Sequence, residues 1–211
     1  VWEANGDTAY KVEHYVMNTS GSYPTAATST QNKTGVTDSS LTLSSLKLTT
    51  SAYNVANGIV YSHGTVGGTT VTTTTIEADG SRVIKLYYKR TYGTLTTVAG
   101  TNIKSVTTQS KVKYYYGATV PSISATLNSA TGYTFTFSKW TSSNTSLVAN
   151  TTTANTTFTM PAANITMTPS ATLNSYTLTI TSGAGGSVKV DNTKKRNLVG
   201  LFVLILVLVL I

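Results

Sequence analysis

The 211-residue chain contains no cysteine, and it also has few acidic residues, with seven Asp and Glu in total, and only four prolines. Without Cys, neither a disulfide framework nor a Cys-based zinc site can form. Charged residues make up only 10% of the chain. The length allows one to two domains with modest hydrophobic cores.

The net charge of +8 arises from this shortage of acids, because the 15 Lys and Arg residues are mostly scattered singly along the chain. Nucleic-acid-binding proteins usually cluster their basic residues on one element. The two local exceptions are Lys85/Lys89/Arg90 and Lys194–Arg196. We therefore expect solvated strand faces or a membrane flank and no nucleic-acid partner, with a polyanion site as the alternative.

The ionisable residues do not form a pattern typical of an active site. General acid–base catalysis needs paired carboxylates, or a carboxylate near His. The only histidines are His14 and His63, and His14 shares the predicted strand face of Val12, which is typical of a buried, hydrogen-bonded histidine. Glu77 and Asp79 lie in a predicted turn. The sequence therefore predicts no catalytic residue, no metal site and no cofactor.

What the chain has in quantity is Thr, Ser and Tyr, including 13 Tyr, and these favour β structure. Two segments, residues 10–15 and 83–90, alternate apolar and polar side chains with a period of two, as in strands with one buried face. The turn at Asp79–Gly80 precedes the second segment. We interpret the two segments as the first and last strands of one small domain. The alternation divides their side chains into an inner set and an outer set: Val12, His14, Val16, Ile84, Leu86 and Tyr88 inside, and Lys11, Glu13, Tyr15, Lys85, Tyr87 and Lys89 outside.

The middle of this block is less regular, and residues 39–48 fit either a strand or a short helical turn, with strand favoured. A second block contains short strand patterns separated by Gly and Pro, which predict a small sandwich or barrel-like unit. The six predicted strands are residues 94–98, 111–116, 122–126, 133–140, 156–160 and 164–168.

The last part of the chain predicts a truncated repeat followed by a hydrophobic tail. Residues 176–183 are similar to residues 92–100, which indicates a further repeat that stops early. Residues 198–211 are wholly apolar apart from one Gly and follow Lys194–Arg196. As a helix they would extend about 21 Å, short of the roughly 30 Å hydrocarbon core. They are either an incomplete or tilted membrane anchor or an unnatural chain end, and the start at Val1 predicts a piece of a longer protein.

Residues 10–15, 76–81 and 84–90 together resemble the MucBP-like (mucin-binding protein) repeat of Gram-positive surface proteins. The second block resembles the divergent internalin B-repeat (bacterial repeat) family. The segments that carry this second resemblance are residues 116–120, 123–126, 132–135, 139–140 and 157–161. The resemblances imply a β-grasp-like fold for the first block, a small β repeat for the second, and a tandem array on a bacterial cell surface.

These observations define a predicted organisation and a function. The fold class is all-β to α+β, with tandem small β modules, the first β-grasp-like and the second a short-stranded β repeat, before a hydrophobic tail. The predicted divisions are a linker at 1–9, modules at 10–90 and 91–172, a truncated repeat at 173–193 and the basic flank with its tail at 194–211. The resemblances imply a non-catalytic adhesin-type protein that contributes to binding mucin or other host glycans, or alternatively a passive stalk that presents a head.

Exposed aromatic side chains are the best candidates for glycan recognition, because sugar rings stack on them. Tyr87 shares its predicted strand face with Lys85 and Lys89, and these three are the candidate ligand-binding residues. The run Tyr114–Tyr116 is expected to place at least one ring outward, whereas Trp140 is expected in the core. The predicted partners are mucin or host glycans, other repeats of the chain, and a membrane through Leu198 to Ile211.

Overall fold

The computed structural model describes residues 3–107, 113–131, 133–144, 151–175 and 184–185. In these residues the regular structure is β-strand together with three short 3-10 turns, and no α-helix is present. None of the described residues forms a helix long and apolar enough to cross a membrane. The predicted hydrophobic tail, and nearly all of the predicted truncated repeat after residue 175, lie outside the described residues.

The first module, which we define as residues 8–90, is built on a five-stranded mixed sheet with a separate two-stranded ribbon. Its strands are β1 (Thr8–Val16), β2 (Ser29–Gly35), β3 (Ser40–Thr42), β4 (Ile59–Val66), β5 (Thr69–Thr70), β6 (Thr73–Thr75) and β7 (Val83–Arg90). The sheet order is β2-β1-β7-β4-β5, and β3 pairs with β6. The first and last strands, β1 and β7, are parallel neighbours within the sheet.

The predicted alternation of β1 and β7 is confirmed, except that Tyr15 of the outer set is buried. Val12, Ile84 and Leu86 are fully buried on the inner face, while Lys11 and Lys89 are exposed on the outer face. The inner face packs against the segment between β3 and β4, whose 3-10 turns are Leu43–Leu46, Ser51–Tyr53 and Val55–Asn57. The sheet therefore has one face in the core and one face toward solvent.

Residues 39–48, for which a strand is favoured by sequence, divide into two conformations. Only Ser40–Thr42 is a strand, and Leu43–Leu46 is a 3-10 turn. Leu43 is fully buried, and a side chain at Gly64 on β4 would overlap it. The turn directs Leu43 into the core, so the strand prediction is wrong for these four residues.

Part of the backbone before residue 10 is already held to the first sheet. The backbone oxygen of Asn5 accepts a hydrogen bond of 2.9 Å from the Thr37 amide, just after β2. Thr8 and Ala9 already belong to β1, and Thr8 is buried. The first strand therefore begins at Thr8, two residues before the predicted start of the first module at residue 10.

The second module, which we define as residues 92–173, contains two sheets. Its strands are β8 (Tyr92–Thr97), β9 (Ile103–Val106), β10 (Lys113–Tyr115), β11 (Thr119–Leu127), β12 (Phe135–Ser142), β13 (Asn155–Thr159) and β14 (Ile165–Leu173). One sheet has the order β10-β8-β14-β12 and the other β13-β11-β9. All six strands predicted for this block are present with shifted ends, and β9 is additional.

The core of the second module lies between its two sheets, in agreement with the predicted sandwich. Leu95 and Met167 point inward from the four-stranded sheet, and Ile123 and Phe158 from the three-stranded sheet. Trp140 is buried as predicted, and its indole nitrogen donates to the Thr153 carbonyl over 3.1 Å. The buried indole is therefore satisfied.

A single residue, Thr91, separates β7 from β8, and the last side chain of β7 connects the two modules. Arg90 Nε donates to the Met17 carbonyl over 2.6 Å, and Arg90 Nη1 donates to the Tyr116 carbonyl over 3.1 Å. The guanidinium also lies 5.9 Å from the centre of the Tyr116 ring. One side chain thus binds backbone from both modules.

The predicted outward ring in Tyr114–Tyr116 is not found, because one of the three side chains is buried and the other two are half-buried. Tyr114 is buried in the second core. Tyr115 is half-buried, and a side chain at Gly21 of the first module would overlap its ring. Tyr116 packs against the core of the first module. The last two rings therefore belong to the junction between the modules.

Candidate binding surface

The outer face of the first sheet brings three aromatic side chains from neighbouring strands together. Tyr15 of β1 and His63 of β4 both lie opposite Tyr87 of β7. The Tyr15 and Tyr87 rings stack with centroids 5.1 Å apart, and the His63 and Tyr87 rings stack with centroids 4.7 Å apart. We call Tyr15, Tyr87 and His63 the aromatic row.

A fourth ring closes over this row from the segment between β1 and β2. The Tyr23 ring meets Tyr87 edge-on, with centroids 5.0 Å apart, and lies 6.4 Å from His63. Tyr87 consequently has one neighbour stacked on each face of its ring and a third at its edge. Since a sugar ring needs an open aromatic face for stacking, Tyr87 is built into the sheet as a structural side chain.

Polar groups surround the Tyr15 end of the row. The Tyr15 hydroxyl donates to Glu13 over 2.8 Å, and the Lys85 amino group lies 5.6 Å from the centre of the Tyr15 ring. Burial, together with the neighbouring Glu13 carboxylate, raises the pKa of Tyr15 to about 12. Glu13 also forms an ion pair of 3.7 Å with Lys11. This end therefore places the Tyr15 phenol beside the side chains of Glu13 and Lys85, with Lys11 next to Glu13.

Lys89 completes the set of residues predicted from the sequence, and its side chain is exposed. Lys85, Tyr87 and Lys89 share one strand face, so the two lysine Cα atoms are separated by about 13 Å along the strand. Exposed charge pairs contribute about 0–1 kcal/mol each. This surface can therefore attract anionic groups weakly through its lysines, while its rings offer edges and hydroxyls.

The part of the chain that the structure describes does not group metal-ligating side chains at this face. Among the residues that the structure describes, no three His, Asp or Glu side chains lie close enough together to hold a metal ion. His14 is fully buried on the opposite face, with its ring nitrogens 2.9 Å from the Tyr88 hydroxyl and 3.3 Å from Gln31 Oε1. It is the satisfied core histidine that its strand position predicts.

Two exposed rings, those of Tyr92 and Tyr133, were missed by the sequence reasoning. Tyr92, the first residue of β8, is 56% exposed, and the Lys113 amino group lies 5.0 Å from the centre of its ring. Tyr92 is three residues from the buried Leu95, so the two side chains belong to opposite faces of the strand. That spacing is the sequence signal that identifies Tyr92 as outward-facing.

No protein-family model matches the chain, and no curated protein matches it. The resemblances to MucBP-like and internalin B-repeats therefore stay predictions. Among solved structures, the chain is similar to Streptococcal High Identity Repeats in Tandem (SHIRT) domains 3–4 from a cell surface protein. The identity is 13%, the match covers 78% of this chain and 98% of that chain, and the TM-score is 0.22.

Proposed function

We propose that the chain is a piece of an adhesin-type protein of the bacterial cell surface, in which two non-catalytic β modules act as a stiff stalk for a head elsewhere in the protein. The observation that carries this proposal is the junction. A connection of one residue, with Arg90 bonded to Met17 on one side and Tyr116 on the other, leaves little freedom between the modules. Flexible tethers instead use Gly- and Ser-rich linkers.

The sequence resemblances support the same assignment. In the first module the parallel first and last strands lie side by side within the sheet, an order that fits the β-grasp-like fold implied by the MucBP resemblance. The internalin B-repeat resemblance places a second repeat directly after it. Such tandem repeats would be extracellular, with other repeats of the same chain as neighbours, and Leu198 to Ile211 would supply the contact with the membrane.

The stiffness of the junction can be tested by electron paramagnetic resonance distances between the modules. The chain lacks Cys, so Val55→Cys and Val98→Cys would carry the only two spin labels, both at exposed positions. We expect a narrow distance distribution that Arg90→Ala broadens. The matched control is Arg82→Ala, because Arg82 binds Glu77 and the Thr75 carbonyl within the first module. This variant should leave the distance distribution narrow. A broad distribution with Arg90 intact would contradict a stiff stalk.

A second candidate function is weak binding of mucin or other host glycans by the outer face of the first sheet. The observation that favours it is the pair of lysines, Lys85 and Lys89, on either side of Tyr87, because sialylated and sulfated glycans are anionic. Single contacts of this kind are weak, and repeats of the module would add avidity. Residues on the rim of the aromatic row, and not the stacked faces of its rings, would make the contact.

This second function predicts a charge-specific and position-specific loss of binding. We would measure binding of the full chain, multimerised on beads, to mucin-coated plates. Lys85→Ala with Lys89→Ala should abolish binding, whereas Lys104→Ala with Lys139→Ala removes the same charge from exposed positions of the second module and should not. An equal loss of binding in both variants would indicate non-specific attraction. If the unchanged chain does not bind mucin, the glycan-binding function is excluded and the stalk function is the one that remains.

A further inference from the structure

The first and last strands of the first module are joined as parallel neighbours along most of their length. β1 and β7 are in register from Lys11 opposite Val83 to Val16 opposite Tyr88. Backbone hydrogen bonds extend the ladder at both ends, from the Lys11 amide to the Arg82 carbonyl and from the Met17 amide to the Tyr88 carbonyl. The chain therefore enters the module at one end of this ladder and leaves it at the other.

The second module repeats this arrangement in a different fold. Its first strand β8 and its last strand β14 are also parallel neighbours, in register from Leu95 opposite Ile165 to Thr97 opposite Met167. The Val98 amide donates to the Met167 carbonyl over 3.1 Å and extends the ladder. Two modules with different sheet orders thus place their terminal strands in the same relation.

This relation determines how each module responds to tension on the chain. When the two ends of a module are pulled apart, parallel terminal strands are drawn in opposite directions along their own axes. All hydrogen bonds of the ladder then carry the load together, whereas strands pulled apart sideways lose their bonds one at a time. A single hydrogen bond contributes little net free energy, so simultaneous loading is what makes the ladder resistant.

We propose that both modules are load-bearing units, in which the β1–β7 and β8–β14 ladders are clamps that resist tension along the chain. The biological meaning of this inference rests on the proposed role as a surface stalk, because a stalk transmits the pull of an attached head. The junction transmits load as well, since Thr91 is the only residue between strands β7 and β8.

The test compares pulling directions on the full chain in optical tweezers, with handles attached through pairs of introduced cysteines. Gly6→Cys with Tyr92→Cys loads the β1–β7 ladder along the strands, and Tyr92→Cys with Leu173→Cys does the same for β8–β14. Gly6→Cys with Val36→Cys instead peels β2 sideways from β1, and Tyr133→Cys with Leu173→Cys peels β12 from β14. Each of these side chains is exposed, and a side chain at Gly6 meets nothing within 4 Å.

In each module we expect the handles that load the ladder to require a force about twofold or more above that of the peeling handles, since forced unfolding reports the barrier to unfolding. All variants should have the same midpoint of urea unfolding. A difference in force then reports the pulling direction and not a difference in stability. Equal or lower forces along the ladder in either module would overturn the proposal. That outcome would leave the spin-label distances intact, whereas a flexible junction would alter those distances and leave the forces of the separate modules unchanged.

Discussion

His14 and Tyr88 share a hydrogen bond of 2.9 Å, between the imidazole Nδ1 and the phenol oxygen, in the core of the first module. The Tyr88 oxygen also accepts the Leu48 amide hydrogen over 2.9 Å. The phenol hydrogen is then free to point at Nδ1, and the imidazole hydrogen on Nε2 faces Gln31 Oε1 at 3.3 Å. This chain of bonds satisfies the neutral form of His14.

The first prediction is that acid destabilises the first module through His14. Burial lowers the pKa of His14, the hydrogen bond that the imidazole donates to Gln31 Oε1 partly offsets this effect, and the nearby charge of Lys33 lowers the pKa further. The other groups facing the ring are the aromatic side chains of Tyr88 and Tyr53. The unfolded chain binds a proton near pH 6.5 and the folded chain only at lower pH. The free energy of unfolding should therefore fall as the pH drops below about 6.5, by at most about 1.4 kcal/mol per pH unit.

Urea unfolding at about pH 7.5 and about pH 5 measures this dependence. The lower pH lies below the usual pKa of histidine but above that of most carboxylates. His14→Gln should be less stable at both pH values and should lose this part of the pH dependence. His63→Gln, which changes the histidine on the outer face, should retain it. A pH dependence that survives His14→Gln unchanged would assign the effect to other groups.

The second prediction is that Tyr87 stabilises the sheet. Tyr87→Ala removes the ring that contacts Tyr15, His63 and Tyr23. Aromatic pairs contribute about 0.5–1.5 kcal/mol each beyond their buried area, and we expect a loss of about 1–3 kcal/mol in the free energy of unfolding. The matched control is Tyr92→Ala, because that ring is 56% exposed. If the two variants lose equal stability by urea unfolding, the aromatic row is not a structural element.

The faces of these strands could be predicted from sequence, because alternation fixes which side chains share a side. On this basis Val12 and Ile84 were assigned to the core, and Lys85, Tyr87 and Lys89 to the outside. Alternation contains no information about which strands are neighbours. The predicted outer face was therefore correct, but the stacking that covers both sides of the Tyr87 ring could not be deduced.

Two features of the fold decided what sequence reasoning missed. The ladder between β4 and β7 shifts register between Tyr61 and His63, and this irregularity sets which residue of β4 stands beside Tyr87. At the junction, Arg90 belongs to the basic cluster Lys85/Lys89/Arg90, for which the sequence predicted a solvated strand face. Its partners are backbone carbonyls of Met17 and Tyr116, which are distant in sequence and carry no signature in their side chains.

The third prediction is that Arg90 couples the unfolding of the two modules. Arg90→Lys keeps the charge but removes the planar group that binds two carbonyls in different directions. Hydrogen bonds to charged groups contribute about 1.5–3 kcal/mol, so we expect Arg90→Lys to lower the free energy of unfolding by an amount in this range. In calorimetry we expect the unchanged chain to unfold in one transition and Arg90→Lys in two. Arg82→Lys should retain a single transition, and two transitions in the unchanged chain would contradict the coupling.

The fourth prediction concerns Gly93, an inward-facing residue of β8. The loop before β14 approaches β8 closely, and Asn164 Oδ1 accepts the Thr94 amide hydrogen over 2.8 Å. A side chain at Gly93 would overlap the backbone carbonyl of Ala163 and the methyl group of Met160. A backbone carbonyl cannot move aside as a flexible side chain can, so the strand and the loop would have to separate.

Gly93→Ala should therefore lower the stability of the second module by about 1–3 kcal/mol, as overpacked cores do. Gly6→Ala is the matched control, because nothing lies within 4 Å of a side chain at that position. Hydrogen exchange measured by mass spectrometry on both variants separates the modules, and faster exchange should be confined to peptides of residues 92–173 in Gly93→Ala. If exchange there equals that of Gly6→Ala, the close approach of the loop to β8 is not required for the fold.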